Sequence, residues 1–126
     1  MSAAVPMNAI VTFKAAPGKA DAVISMYNEY AEKVKKNETD CSTFYCIRLK
    51  DTDDFICVEK YTDFQAQEDH VIGDDFKAFK EKISPLLETP IVTKIGFNVG
   101  GFEGRKSSSG SGSGKGGIKY KILSVK

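Results

Sequence analysis

Two neighbouring segments, 42–49 and 54–61, carry apolar residues on both of the faces that a β-strand presents. Both are rich in β-branched and aromatic residues, and the polar loop between them suits a hairpin. In the first segment one face carries Tyr45, Ile47 and Leu49, and the other face carries Phe44 and Cys46. In the second segment one face carries Ile56 and Val58, and the other carries Phe55, Cys57 and Tyr61. An open antiparallel sheet normally keeps one polar, hydrated face. The hairpin therefore predicts a sheet that is covered on both sides.

The first helix and the two outer strands are indicated by the same kind of patterning. Residues 8–14 and 91–99 are rich in strand-forming residues and are followed by turn-forming glycines. From Lys19 to Lys36 apolar residues recur every three or four positions, which is the pattern of an amphipathic helix. Asn37 is expected to take the left-handed position that follows such a helix.

Two shorter helices are predicted after the hairpin. The spacing of Thr62 and Gln65 fits a capping box, so that a helix would run from Thr62 to about Ile72. Beyond Gly73, a second set of apolar residues at helical spacing predicts another helix. The predicted order is β-α-β-β-α-α-β, an α+β, ferredoxin-like fold with a four-stranded antiparallel sheet. In so short a chain the helices can cover only one face of that sheet.

The chain divides into an acidic domain, residues 1–104, and a basic tail, residues 105–126. The domain carries all 17 acidic residues against 12 lysines and arginines, whereas the tail has six basic residues and no acidic one. An acidic domain repels nucleic acid, so we expect no nucleic-acid partner. The tail begins with a Gly/Ser-rich segment that is typical of a flexible tether, and its end, 118–126, alternates like a strand.

Composition excludes several other classes of protein. No run of about 18 apolar residues could span a membrane, and no secretory signal opens the chain, so a cytoplasmic protein without a membrane partner is expected. The three cysteines, Cys41, Cys46 and Cys57, have neither CxxC nor zinc-site spacing. We interpret them as packing residues, although Cys46 and Cys57 facing each other across the hairpin would leave a redox role open.

A set of short motifs identifies a family that the chain resembles. The set comprises the predicted element order, the entry Pro17-Gly18-Lys19 to the first helix, the pair Glu59 and Tyr61, and His70 followed by Phe76. Over about residues 8–99 this is similar to the antibiotic biosynthesis monooxygenase family. Members usually have tryptophan where this chain has Tyr61, and often glycine where it has Asp40.

The resemblance implies a dimeric α+β barrel, in which the second sheet face packs on a partner chain and a pocket lies between sheet and helices. A homodimer is thus expected both from the two-sided sheet and from the family. The family includes oxygenases that act on quinols and aromatic polyketides without a bound cofactor. The implied function is such a monooxygenase, with a small aromatic or quinone-like ligand and no cofactor or metal. A non-catalytic dimeric module that binds a ligand or a protein is the alternative.

The candidate catalytic residue is His70, the only histidine, because imidazole is a natural proton acceptor near neutral pH. A structural hydrogen-bonding role for it stays open. Tyr27, Tyr45 and Tyr61 are the candidate substrate-binding residues, since tyrosines can line an aromatic pocket and donate hydrogen bonds to a phenol. Tyr30 shares these properties. Glu59 is the last candidate, as a buried partner of His70 or Arg48.

Haem and nucleotide cofactors find no support in the sequence. Haem-degrading members of the family carry a histidine ligand in the helix after the phenylalanine, where this chain has Phe79, Lys80 and Lys82, and they rely on a tryptophan, which it lacks. No Gly-rich phosphate loop and no carboxylate cluster with metal spacing is present.

Overall fold

The computed structural model describes residues 5–105, and these follow the predicted β-α-β-β-α-α-β order. The elements are β1 Met7–Ala15, α1 Ala20–Asn37, β2 Cys41–Arg48, β3 Asp54–Tyr61, α2 Phe64–Ile72, α3 Asp74–Ile83, a 3-10 turn Ser84–Leu86, and β4 Leu87–Gly96. The four strands form one antiparallel sheet in the order β2-β3-β1-β4. The predicted fold class is confirmed. Apart from Arg105, the basic tail lies outside the described residues.

The core lies between the three helices and one face of the sheet, here called the inner face. Every second residue of β1 and β3 is buried there, and α1 contributes a stripe with the spacing seen in the sequence. The members of this core include Val11, Phe13, Val23, Tyr27, Val34, Phe55, Cys57, Phe79 and Ile83. Each of these large side chains leaves water on folding, which contributes about 1.5–3 kcal/mol for a fully buried one.

The opposite, outer face of the sheet carries two rows of mostly apolar residues that run across all four strands, with Lys94 and Thr12 as their polar members. The register aligns Tyr45, Val58, Ile10 and Lys94 in one row and Ile47, Ile56, Thr12 and Val92 in the next. No helix covers this face within residues 5–105, and Ile10, Tyr45, Ile47 and Val92 are exposed. The sheet is therefore apolar on both faces, as the sequence predicts, while one face lacks a cover within the described chain.

The start of α2 differs from the predicted capping box. Asp63, not Thr62, is the N-cap, and its carboxylate accepts a hydrogen bond from the backbone N–H of Ala66 at 2.9 Å. The side chain of Gln65 donates to Asp69 instead of reaching back to the cap. An aspartate caps a helix as well as a threonine does, so α2 begins one residue later than predicted with an equally stabilising cap.

Two further elements differ in their bounds from the sequence prediction. Asn37 is the last residue of α1 and not a left-handed residue beyond it; its side chain donates a hydrogen bond to Asp75 at 3.0 Å. Strand β4 is Leu87–Gly96 rather than 91–99, so it includes Pro90 and ends three residues earlier. A proline is tolerated there because β4 is an edge strand, where a missing N–H leaves no partner unpaired on the open side.

Candidate functional site

His70 lies at the centre of a buried hydrogen-bonded chain of side chains. It projects from α2 against α1 and the sheet, and only 4% of it is exposed. Its Nδ1 is 2.6 Å from Oε1 of Glu38, and its Nε2 is 2.8 Å from the hydroxyl of Tyr30. A carboxylate only accepts hydrogen bonds, so Nδ1 carries the proton. In the neutral imidazole Nε2 then accepts the hydrogen bond of the Tyr30 hydroxyl, so that both ring nitrogens have partners.

Glu59 and Tyr61 extend this group along the inner face of β3. The Tyr61 hydroxyl donates to Oε1 of Glu59 at 2.6 Å, and the same oxygen lies 3.9 Å from Nε2 of His70. Glu59 is 6% exposed, and its burial raises the pKa of its carboxyl, although the Tyr61 hydrogen bond and His70 act in the opposite direction. Burial, followed by the charge of Glu59, raises the pKa of Tyr61, which keeps that phenol protonated. Glu59 thus lies near His70 without a direct hydrogen bond to it, whereas Arg48 pairs with Asp53.

The raised pKa of Glu59 has a measurable effect on stability. Below the ordinary glutamate pKa, the Glu59 carboxyl is neutral in both the folded and the unfolded chain. As the pH rises above that value, the carboxyl ionises in the unfolded chain but stays neutral in the folded one. The free energy of unfolding therefore falls with rising pH until the pKa of the folded state is passed. We expect Glu59→Gln to match the wild type near pH 4 and to be more stable at pH 7. Thermal unfolding at a series of pH values measures this difference, and a gap that shrinks with rising pH would contradict it.

A polar cavity of about 300 Å³ lies beside His70, between the end of α1 and the α2–α3 junction. Its wall consists of Asn37, Glu38, Thr39, Asp40, Cys41, Tyr61, Ala66, Asp69, His70, Gly73, Asp74 and Asp75. Five of these are acidic and none is a lysine or arginine. Burial raises the pKa of Cys41 to about 11, so its thiol stays protonated at neutral pH. The cavity therefore disfavours an anion.

A larger, aromatic cavity of about 840 Å³ lies between α1 and the inner face of the sheet, beside the edge strand β2. Phe13, Val23, Ile24, Tyr27, Asn28, Ala31, Phe44, Tyr45, Cys46, Ile47, Arg48 and Phe55 line it. Tyr27 stacks on Phe44, with ring centroids 5.6 Å apart, and is 7% exposed. Its hydroxyl is buried and has no hydrogen-bond partner among residues 5–105. A buried hydroxyl without a partner costs about 1–3 kcal/mol, and a ligand that displaces the neighbouring rings enough to accept its hydrogen bond would regain that energy.

The structure divides the predicted site residues between the two cavities. His70 and Tyr61 line the polar cavity, with Glu59 behind them. Tyr27 lines the aromatic cavity, and Tyr45 lies at its β2 rim. The rings of Phe44 and Tyr30 lie against His70, at centroid distances of 5.9 and 6.0 Å, and both also contact Tyr27. His70 therefore does not open onto the aromatic cavity.

Sequence reasoning missed one member of the His70 group, Glu38. It follows the end of α1 and lies 32 positions from His70 in the chain, so no local spacing connects the two residues. Tyr30 was named only as one of several tyrosines, and nothing in its pattern distinguishes a hydroxyl bound to imidazole from one in the core. Its position on the buried stripe of α1 was the available signal.

Comparisons with known proteins agree on the fold. Residues 6–82 match the family model described as antibiotic biosynthesis monooxygenase. A candidate antibiotic biosynthesis monooxygenase from Caulobacter crescentus has a similar structure, with 26% identity, a TM-score of 0.72, and coverage of 77% of this chain and 92% of that one. A Pseudomonas aeruginosa protein is 22% identical with a TM-score of 0.68, covering 79% and 100%. A Mycobacterium tuberculosis protein is 15% identical with a TM-score of 0.70, covering 78% and 99%. No curated protein matches the chain in sequence.

Proposed function

Because the chain belongs to the antibiotic biosynthesis monooxygenase family, we propose that it is a monooxygenase that oxygenates a quinol or aromatic polyketide-like molecule without a bound cofactor. The aromatic cavity binds this substrate. The observation that supports the proposal most directly is the unpartnered hydroxyl of Tyr27 in an aromatic wall. Such a cavity is of the size that holds a drug-sized ligand, and phenol or carbonyl oxygens can accept the free hydrogen bond.

The chemistry requires a proton acceptor and a dry environment. Removing a proton from a quinol gives an electron-rich anion, which donates an electron to oxygen. The inner wall of the aromatic cavity is apolar, while its rim at Asn28, Tyr45, Ile47 and Arg48 is open to solvent, so a bound substrate would itself have to close the site to water. His70 is the proposed base. Since Phe44 and Tyr30 lie between His70 and the aromatic cavity, a proton from a substrate there needs a relay to Nε2; the Tyr30 hydroxyl is bonded to Nε2 but does not line the cavity, so it supplies only the last step of that relay. The carboxylate of Glu38 on Nδ1 would stabilise the imidazolium that forms.

Tyr27→Phe tests the proposed ligand site, and it should change stability and binding in opposite senses. Loss of the unpartnered hydroxyl is expected to leave the free protein at least as stable as the wild type. The affinity for an anthrone or hydroquinone should fall roughly threefold to tenfold, the value of one hydrogen bond. Thermal unfolding and equilibrium dialysis measure the two effects.

Tyr45→Phe is the matched control, because it removes a hydroxyl at the rim of the same cavity and keeps the ring that the proposed dimer would cover. It should leave stability unchanged. A Tyr27→Phe protein that is clearly less stable and binds equally well would show that the hydroxyl serves the core and not a ligand.

The alternative, a non-catalytic dimeric module of the same fold, is favoured by one specific observation. Both nitrogens of His70 are bound within the chain, and the residue faces the polar cavity. In such a module the aromatic cavity holds a ligand that is not transformed, and His70 fixes α2 to α1. Oxygen uptake with a panel of hydroquinones and anthrones separates the two functions.

We also propose that the protein is a homodimer formed through the outer face of the sheet. The two apolar rows of this face have no cover among residues 5–105, and burying them would remove six apolar side chains per chain from water: Ile10, Tyr45, Ile47, Ile56, Val58 and Val92. Contiguous apolar patches of this kind mark protein interfaces. None of the described helices is long and apolar enough to cross a bilayer.

A further inference from the structure

Cys46 and Cys57 form a close pair of thiols on the inner face of the sheet. They lie directly opposite each other on β2 and β3, their Sγ atoms are 3.1 Å apart, and both are free. Directly opposed residues of antiparallel strands have Cα atoms about 4.5–5.5 Å apart. A disulfide requires about 4.4–6.8 Å, so the pair can close with a small side-chain rotation and no movement of the strands.

The two thiols differ in their access to the aromatic cavity. Cys46 is half-buried and belongs to the cavity wall, whereas Cys57 lies behind it and is 2% exposed. The Cys57 thiol donates its hydrogen to the sulfur of Cys46. This hydrogen bond, followed by burial, raises the pKa of Cys57, so its proton stays on. A molecule in the aromatic cavity can thus meet Cys46 first, with Cys57 as the second thiol.

We propose that Cys46 and Cys57 are a dithiol redox site that reduces a quinone bound in the aromatic cavity to the hydroquinone. This step rests on the proposed function for the identity of its ligand. It adds a reaction that the oxygenation does not need. The aromatic walls suit a planar ring, and Cys46 lies in the same wall as Tyr27 and Phe44.

The reaction balances without any further reagent. The Cys46 sulfur adds to a carbonyl carbon of the quinone, and the Cys46 proton goes to that carbonyl oxygen. Cys57 then attacks the Cys46 sulfur, so that the S–S bond forms and the C–S bond breaks. The electron pair of the broken bond enters the ring, and the Cys57 proton goes to the second oxygen. Two thiols and a quinone become one disulfide and one hydroquinone.

The third cysteine provides an internal control. Cys41 lines the polar cavity and not the aromatic one, and its thiol donates to the backbone carbonyl of Thr43 at 3.4 Å. Cys41→Ser therefore keeps the dithiol site intact, while Cys46→Ser and Cys57→Ser each remove one half of it.

The test uses the reduced full-length chain and tetramethyl-1,4-benzoquinone without oxygen. The methyl groups on the ring carbons suppress conjugate addition of thiols, so a lasting aryl adduct does not obscure the result. We expect one hydroquinone per chain, loss of two hydrogens from the intact mass, and a mapped Cys46–Cys57 bond. Cys41→Ser should react as the wild type does, and Cys46→Ser and Cys57→Ser should give neither hydroquinone nor an internal disulfide.

Equilibrium dialysis of the same quinone with Cys46→Ser separates failure of this inference from failure of the proposed function. Binding without oxidation of the wild-type pair would overturn the dithiol reaction and leave the ligand site standing. Absence of binding would overturn both. A disulfide that involves Cys41, or an equal yield of hydroquinone from Cys57→Ser, would also refute the assignment.

Discussion

Replacing His70 with alanine is expected to lower the rate of quinol oxygenation by roughly 10²–10⁴-fold, the usual contribution of a general base. The imidazole is the proposed proton acceptor, and its Nε2 is bonded to the Tyr30 hydroxyl, the last member of the proposed proton relay. Substrate affinity should change much less, because the walls of the aromatic cavity do not include His70. Oxygen uptake at several substrate concentrations, without added metal or flavin, gives the rate and the KM separately.

His70→Ala also removes a buried hydrogen-bonding group, so its stability must be followed. The Tyr30 hydroxyl and the Glu38 carboxylate would lose their partner, at a cost of about 2–4 kcal/mol. His70→Gln serves as the second variant, since an amide can keep one of these hydrogen bonds but accepts no proton. Equal rates in the wild type and in a folded His70→Gln protein would eliminate the base. If no substrate of the panel is oxygenated by the wild type, the non-catalytic module is the better description.

Val58→Lys is expected to convert the proposed homodimer into a monomer at micromolar concentration. Val58 lies in the middle of the outer face, between Tyr45 on β2 and Ile10 on β1. An unpaired charge buried in an interface costs about 3–5 kcal/mol, and a symmetric dimer would bury two of them. Light scattering of the two proteins at equal concentration measures the change.

Ile72→Lys provides the matched control for the interface. Ile72 ends α2, is 66% exposed, and belongs to the helical layer rather than the outer sheet face. Ile72→Lys adds the same charge outside the proposed interface, and we expect this variant to remain a dimer. A wild-type protein that is monomeric at this concentration, or a Val58→Lys protein that remains dimeric, would rule out the outer face as the interface.

The sequence predicted the fold because its signals are local and strong. The apolar stripe of α1 and the two-sided strands β2 and β3 follow directly from residue spacing, and β3 was placed without error at Asp54–Tyr61. The boundaries that moved depend on tertiary context. Leu87 joins β4 only because it pairs with Ala15 of β1, and that contact leaves no trace in the local sequence.

The candidate site was less accessible to the sequence than the fold. Periodicity places Tyr27, Tyr30, Glu59 and His70 on buried faces, but it does not say which polar atoms meet. The separation of His70 from the aromatic cavity depends on two rings, those of Phe44 and Tyr30, that fill the space between them. Such a partition is set by side-chain packing across three elements, which no one-dimensional pattern records.

Pro90 affects how the sheet can meet other chains. It lies in β4, an outer strand of the sheet, and the pairing of β4 with β1 shifts register on either side of Lys14. A proline offers no N–H to a further strand, and irregular pairing twists an edge away from a flat template. This border of the molecule thus resists strand-by-strand growth into fibrils. The protein can therefore keep an apolar surface available for face-to-face association at little risk of aggregation along this edge.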